Sequence, residues 1–296
     1  MGLRRIALVF STVLLLISTG SLFSQGLVLG LDFSGGTQIE VGYERPVDVA
    51  ELRDQLKQSG FEDPVVVHFG SESDVLIRMQ GQPDQGLAER LYSVLQVSGE
   101  EIDLRRVDFV GPQIGEELRD KGGLGMLIAL AVVMLYVAIR FQFKFSVGAV
   151  LALVHDVVIT LGIFSITRLE FDLTVLAAVL AVVGYSLNDT IVVSDRMREN
   201  FRTERGLEPV EIVDKSINQT LSRTLITSLT TLLVLFSLYI FGGELIKGFS
   251  LALILGIFIG TYSSIYVVAN MLLTMSITQE DLAVPEPEGA EFDEMP

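Results

Sequence analysis

Only a few residues of this sequence could do chemistry, and the most unusual of them lie within apolar segments. Asn188 and Asp189 interrupt "AVVGYSLNDTIVV", and His155 and Asp156 are adjacent in the middle of "FSVGAVLALVHDVVITLGIFSI". Arg223 opens "RTLITSLTTLLVLF". A charged side chain at the centre of a membrane helix costs roughly 2.5–3.5 kcal/mol, so such residues usually pair or belong to an ion pathway. An imidazole can also change its charge near neutral pH.

The remaining residues give no enzyme pattern. Cysteine is absent, which excludes disulfides, thiolate catalysis and cysteine metal sites, and the two histidines, His68 and His155, argue against a multi-histidine metal site. "GLDFSGGTQIEV" lacks the Gly-Lys-Ser/Thr ending of a phosphate loop and leads into a strand. We interpret it as a tight turn in which Gly35 and Gly36 take positive φ and Asp32 caps exposed amides.

Composition places these residues in a membrane protein. Half of the 296 residues are hydrophobic and the mean hydropathy is +0.52, while a net charge of −16 argues against nucleic-acid binding. Runs of about 20 apolar residues can cross a bilayer. They occur at 6–23, 122–139, 145–166, 173–193, 225–241 and 249–275. The first could be a cleaved signal peptide, but "SLFSQG" lacks a small-x-small cleavage site, which favours an uncleaved anchor.

Basic residues orient the spans. They concentrate before the first span and in the loops after the second and fourth, at Arg4, Arg5, Arg140, Lys144, Arg196, Arg198, Arg202, Arg205 and Lys215. The positive-inside rule therefore predicts that both termini are cytoplasmic and that residues 24–121 are periplasmic. The last segment, 277–296, carries seven acidic residues and no basic one, which predicts a disordered acidic tail.

The insert between the first two spans predicts a small folded domain. It has nineteen acidic and nine basic residues, a net charge of −10. Its periodicity runs strand, helix, strand, strand, helix, strand, the ferredoxin-like order, followed by a short helix in "GPQIGEELRDKGG". We therefore predict four regions: a first transmembrane helix (1–23), an α+β ferredoxin-like domain (24–121), a five-helix bundle (122–276) and the tail (277–296).

Helical spacing assigns faces to the intramembrane residues. Small side chains form one stripe of the fourth span, about 100° from Asp189, at Ala177, Ala181, Gly184 and Asn188. Arg223, Thr227 and Thr230 share a face of the fifth span, and Gly256 and Gly260 lie one turn apart on the sixth. These faces predict that spans four to six pack around a polar interior line. From hydropathy alone, Asp189 could be an interfacial carboxylate, one half of a structural ion pair, or a proton relay.

Three long motifs give the sequence a family resemblance. "LGLDFSGGT", "VGYSLNDTIVVSDRMRENFR" and "SINQTLSRTLITSLTTLL" closely resemble the SecD/SecF family of bacterial protein-export membrane proteins, which belongs to the RND superfamily of proton-driven exporters. The resemblance runs from the first span to "SSIYVVAN" in the sixth, although Ser194 stands where many relatives carry an aromatic residue.

The resemblance implies an RND-like half bundle of six spans in the bacterial inner membrane, with one periplasmic domain. It implies SecD as the partner, together with the SecYEG channel, the SecA motor, YajC and YidC, and an unfolded preprotein on the periplasmic side. The proton-motive force would complete export. The acidic residue of the fourth-span motif and the arginine of the fifth-span motif match Asp189 and Arg223 as the proton pathway. Apart from the resemblance, we expect Asn188 to orient the Asp189 carboxylate by a hydrogen bond. His155, Asp156 and Thr227 are expected to support the pathway.

The sequence leaves two alternative functions and one alternative coupling ion open. The chain could be a half-size RND exporter of small molecules or lipids, or a proton-independent scaffold of the export complex. No cofactor is expected besides the proton gradient, but a carboxylate beside Asn and Thr oxygens could also take sodium.

Overall fold

The computed structural model describes residues 2, 4–61, 64–69, 71–79, 87–96, 102–204, 206–278 and 281. In chain order its elements are α1 (Arg4–Ser24), β1 (Val28–Leu29), α2 (Leu31–Ser34), β2 (Gly36–Tyr43), α3 (Val49–Gln58), β3 (Val65–Phe69), β4 (Ser71–Met79), α4 (Leu87–Gln96), β5 (Ile102–Val110), α5 (Pro112–Arg140), α6 (Phe143–Thr167), β6 (Glu170–Phe171), α7 (Leu173–Thr203), α8 (Pro209–Phe241) and α9 (Glu244–Thr274).

Six helices within the described residues, α1 and α5 to α9, are long and apolar enough to cross a membrane. Each contains one of the six predicted apolar runs. Three are longer than predicted. The segment predicted as a separate short helix before the second span is continuous with α5, and α7 and α8 extend about ten and sixteen residues beyond their apolar runs. Neither polar extension contains a glycine or a proline after its first residue, so nothing ends these helices at the edge of the apolar run.

The segment between α1 and α5 forms the predicted ferredoxin-like fold. Strands β2 to β5 make an antiparallel sheet in the order β3-β4-β2-β5. The buried residues of this sheet domain include Ile39 and Ile77 from strands and Leu56 and Leu91 from helices, none of them measurably exposed. Asp48 caps α3 by accepting the backbone N–H of Ala50 at 2.8 Å.

The long helices pack unequally. Helices α6, α7 and α9 form the interior, whereas α5 buries little more than Gly115 and Val137. One apolar cluster, which includes Phe33 and Phe171, fills the half of the bundle beside the sheet domain, and a second, which includes Met197, fills the opposite half. The polar intramembrane residues lie between these two clusters on α6, α7 and α9.

Candidate functional site

Asp156 lies at the centre of a buried polar cluster that joins three helices. Its side chain is 1% exposed. Oδ2 accepts hydrogen bonds from the hydroxyl of Ser186 on α7 at 2.5 Å and from that of Ser263 on α9 at 2.7 Å. Oδ1 lies 2.9 Å from Nδ1 of His155 on α6, the helix that also carries Asp156. The carboxylate therefore links α6 to α7 and α9 by hydrogen bonds between side chains.

Gly256 and Gly260 of α9 allow this cluster to form. A Cβ atom at Gly260 would lie 3.0 Å from Cβ of Ser186, and one at Gly256 would overlap Cγ2 of Val182. Only glycine therefore permits α9 to approach α7 so closely at both positions. Ser186 and Ser263 were not among the predicted site residues. Helical spacing could have identified Ser186, because it precedes Asp189 by one turn and so lies on the same face of α7.

Asp189 is buried but has no partner. It is 3% exposed, and its Oδ2 atom forms no hydrogen bond. An orphaned buried carboxylate oxygen is unusual and costs free energy. Arg223 interacts with it electrostatically, but Arg223 is exposed on α8 and the two side chains form no ion pair among the residues that the structure describes. The expected orienting hydrogen bond from Asn188 does not form either, because Asn188 is exposed on the next face of α7.

Arg223 and Thr227 do not line the bundle interior, contrary to the expectation from helical spacing. Both are exposed, as is Thr230. The buried face of α8 instead carries Thr220, Thr224 and Ser228, one turn apart, and the hydroxyl of Ser228 pairs with that of Thr261 on α9 at 2.7 Å. Sequence spacing groups residues by face correctly, but it does not say which face meets the neighbouring helix.

The predicted packing stripe of α7 also lies on the outside. Ala177, Ala181 and Gly184 are exposed, and a Cβ atom at Gly184 would meet nothing within 4 Å. The interior face of α7 is instead formed by larger residues such as Val182 and by Ser186. The stripe is therefore exposed in this chain, and its role in helix packing stays a prediction. Gly256 and Gly260 of the same prediction do contact α7.

Two buried hydroxyls besides the Asp156 cluster are also orphaned. Thr224 Oγ1 on α8 and Ser194 Oγ on α7 are buried without a hydrogen-bond partner. Buried polar atoms of this kind usually bind ordered water. Together with Asp189 they place three unsatisfied groups on α7 and α8.

The Gly-Gly segment joins the sheet domain to the bundle. β1 pairs in parallel with β6, and the N–H of Gly30 donates to the carbonyl of Phe171 at 2.9 Å. Asp32 does not cap local amides as predicted. Its Oδ2 accepts the N–H of Leu173, the first residue of α7, at 3.1 Å. A single helical turn, α2, precedes the two glycines.

The two glycines of this segment take the positive φ values that the turn interpretation requires. Gly35 has φ 71° and Gly36 has φ 141°. A Cβ atom on Gly35 would lie 2.8 Å from Cα of Pro112, where α5 begins. The segment therefore contacts the N-terminal ends of both α5 and α7.

A second tie between the domain and the bundle is ionic. Arg78 on β4 pairs with Glu170 on β6. Burial raises the pKa of the Glu170 carboxyl above its usual range, and the charge of Arg78 opposes that rise.

At the opposite end of the bundle, the hydrogen bond from Lys144 to Asp281 lowers the pKa of Asp281.

No group of three or more His, Cys, Asp or Glu side chains that could hold a metal ion occurs in the described part of the chain. The site is therefore a set of buried carboxylate, imidazole and hydroxyl groups. Such groups can bind and release protons.

Two family models match the chain. One is described as "Protein export membrane protein SecD/SecF, C-terminal" and matches residues 91–278, and the other, "SecD/SecF GG Motif", matches residues 20–47. The second match contains the Gly-Gly segment described above.

Curated relatives match over nearly the whole length. The chain is 51% identical to the protein translocase subunit SecF of Pseudomonas aeruginosa, with 97% of this chain and 94% of the relative covered. It is 50% identical to that of Vibrio alginolyticus, with 99% and 95% covered. It is 44% identical to that of Escherichia coli O157:H7, with 90% and 85% covered.

A solved structure is similar in fold. The crystal structure of SecDF, a translocon-associated membrane protein from Thermus thermophilus, matches with a TM-score of 0.83 and 40% identity. The match covers 93% of this chain and 38% of the SecDF chain, so this chain spans well under half of that protein's length.

Proposed function

The chain belongs to the SecD/SecF family of protein-export membrane proteins, and we propose that it is a subunit of the Sec machinery that uses the proton-motive force to complete preprotein translocation across the bacterial inner membrane. Full-length relatives at 42–51% identity named protein translocase subunit SecF support the translocation role. The observation that carries the proton coupling is Asp189, a buried carboxylate without a hydrogen-bond partner inside a membrane helix. The role needs no hydrolytic or nucleotide chemistry and no cofactor besides the gradient.

Asp189 would be the group that takes up and releases the proton. Protonation removes the charge and lowers the cost of holding the side chain in an apolar surround, whereas ionisation favours a cation nearby. Arg223 supplies that cation, and its electrostatic interaction with Asp189 supports the pairing of roles. One elementary charge moving through 100 mV supplies ~2.3 kcal/mol, enough to change the ratio of two helix packings by roughly fiftyfold. Thr227 and Asn188, both exposed, would act only at the edge of this pathway.

The outer face of α7 and α8 supports SecD as the partner. The small-residue stripe of Ala177, Ala181 and Gly184 is exposed, and Arg223 lies on the exposed side of the next helix. Arg223 lies two residues before the apolar run 225–241, and a charged side chain that faces lipid is costly unless another chain covers it. We assign this face to a transmembrane helix of SecD that covers Arg223. SecYEG, SecA, YajC and YidC complete the proposed assembly.

The Gly-Gly segment would carry movement from the bundle to the sheet domain. Asp32 holds the first residue of α7, which is the helix that carries Asp189. A shift of α7 would therefore move the domain that meets the emerging preprotein, which we place in the periplasm with both termini in the cytoplasm. The domain division at 1–23, 24–121, 122–276 and 277–296 belongs to the same proposal.

The test replaces a bacterium's own SecF with this chain and measures preprotein import into inverted membrane vesicles, with and without a proton gradient. The proposal predicts a gradient-dependent part of the import rate that requires this chain, and copurification with SecD. An import rate that depends on a sodium gradient instead would mean that sodium, not the proton, is the coupling ion. Copurification with an outer-membrane channel rather than SecD would indicate a small-molecule or lipid exporter. Gradient-independent rescue would indicate a scaffold.

A further inference from the structure

His155 and Asp156 form a second buried titratable pair, separate from Asp189 and Arg223. His155 is 3% exposed, and its ring faces that of Tyr262 on α9. Its Nδ1 atom lies 2.9 Å from Oδ1 of Asp156, but its Nε2 atom is buried and forms no hydrogen bond. A buried imidazole nitrogen without a partner requires an explanation.

The hydrogen bonds of Asp156 determine which ring nitrogen carries the proton. The hydroxyls of Ser186 and Ser263 both donate to Oδ2, which favours the ionised carboxylate. An ionised carboxylate can only accept hydrogen bonds, so Nδ1 of His155 must be the donor across the 2.9 Å contact. In a neutral ring Nε2 then has no hydrogen and presents a lone pair.

We propose that Nε2 of His155 is a second proton-binding site of this protein, with Asp156 as its positioning residue. The proton adds to the Nε2 lone pair, and the resulting imidazolium is balanced by the adjacent carboxylate. Release reverses the step at the same atom, and no other bond is made or broken. The use of this proton in export rests on the proposed coupling to the proton gradient.

The titratable group on α9 that faces the ring is Tyr262. Tyr262 in turn contacts the hydroxyl of Ser11 and the backbone of Ala7 on α1, and the ring of Tyr266 on α9. The Tyr262 ring is stacked on His155 with centroids 6.2 Å apart. Its hydroxyl donates to the carbonyl of Ala7 at 2.8 Å.

On α7 two titratable groups flank Ser186: Tyr185 directly precedes it, and Asp189 follows it by one turn. The charge of a protonated His155 is therefore balanced by Asp156 first. Because Asp156 binds Ser186, a change in its hydrogen bonding reaches the helix that carries Asp189. The two proton sites are thus connected through one turn of α7.

Nitrogen NMR of the histidine rings tests the proposal directly. The chain has only two histidines, so labelling with ¹⁵N-histidine in the full chain in lipid nanodiscs gives two sets of ring signals, and His68→Gln assigns them. At high pH we expect protonated Nδ1 and unprotonated Nε2 for His155, and a doubly protonated ring as the pH falls. Asp156→Asn should remove the preference for that tautomer. A proton on Nε2 at high pH, or a ring whose state is the same from about pH 4.5 to 9, would overturn the proposal.

Export assays test whether the proton is used. In inverted vesicles, we expect His155→Gln to reduce the gradient-dependent import rate at least tenfold and His68→Gln, in the sheet domain, to leave it unchanged. If NMR shows that His155 titrates but His155→Gln imports at the full gradient-dependent rate, the proposed role of this proton in export is contradicted. If wild-type vesicles show no gradient-dependent import, the proposed function fails, and the NMR result still decides whether Nε2 binds a proton.

Discussion

The close approach of α7 and α9 makes a sharp prediction for Gly256→Ala. A Cβ atom at this position would lie 2.6 Å from Cγ1 of Val182 and would overlap Cγ2. Val182 is 1% exposed and has no room to move aside. The helices must therefore separate, and Ser263, two turns along α9, would move away from Asp156.

The expected cost follows from overpacking. Added methyl groups in a packed interior cost about 1–3 kcal/mol, against which alanine gains about 1 kcal/mol over glycine as a helix former. Gly184→Ala is the matched control, because it makes the same change on the same helix pair where a Cβ atom meets nothing within 4 Å. The helix-propensity gain is the same in both variants, so we expect the free energy of unfolding to differ by the overpacking cost, about 1–3 kcal/mol.

A double variant separates overpacking from other causes. Val182→Ala removes the two closest atoms and leaves only its Cβ at 2.9 Å, so Gly256→Ala combined with Val182→Ala should be more stable than the sum of the single effects by about 1–2 kcal/mol. The assay is unfolding of the purified full chain in detergent, followed by circular dichroism. Equal stability of Gly256→Ala and Gly184→Ala would refute the close helix contact on which the Asp156 cluster depends.

The remaining predictions concern the domain junction and the outer face. Asp32→Ala should lower stability by about 1 kcal/mol and speed amide exchange at Leu173, because α7 loses one of its caps; unchanged exchange there would contradict the contact. Arg78→Gln should further raise the pKa of Glu170. With a raised pKa the native state binds more protons than the unfolded state, so stability falls as the pH rises. Between about pH 4.5 and 7 the melting temperature of this variant should therefore fall further than that of the wild type. Parallel plots of melting temperature against pH for the two proteins would exclude the effect. Gly184→Leu should leave the isolated chain folded but reduce copurification with SecD, whereas full copurification would place SecD elsewhere.

Local sequence patterns predicted much of the fold because the elements depend on local periodicity and composition. The six apolar runs and the βαββαβ order each correspond to elements of the structure. The β1–β6 pairing was not predictable, since two-residue strands leave no periodic signal. The lengths of α7 and α8 were underestimated because hydropathy marks where the apolar run ends, not where the helix ends.

The candidate site was predicted as a set of residues but not as an arrangement. Helical spacing separated Asp189 from Asn188 by about 100°, and this difference places one inside and the other outside. It could not show that the stripe beside Asn188 faces outward, because a small-residue face suits a helix of this chain and one of another chain equally well. Asp32 and Leu173 are 141 residues apart, so their contact requires the tertiary fold.

The central claim is that Asp189 couples the proton gradient to export. The most direct test is preprotein import into inverted vesicles carrying Asp189→Asn, which keeps the side-chain shape and removes the titratable group. Asp195→Asn is the matched control, since Asp195 lies on the same helix but is 43% exposed and pairs with Arg198 at 3.1 Å. We predict that gradient-dependent import disappears in Asp189→Asn and persists in Asp195→Asn, with equal copurification of SecD. Full gradient-dependent import by Asp189→Asn would contradict the account.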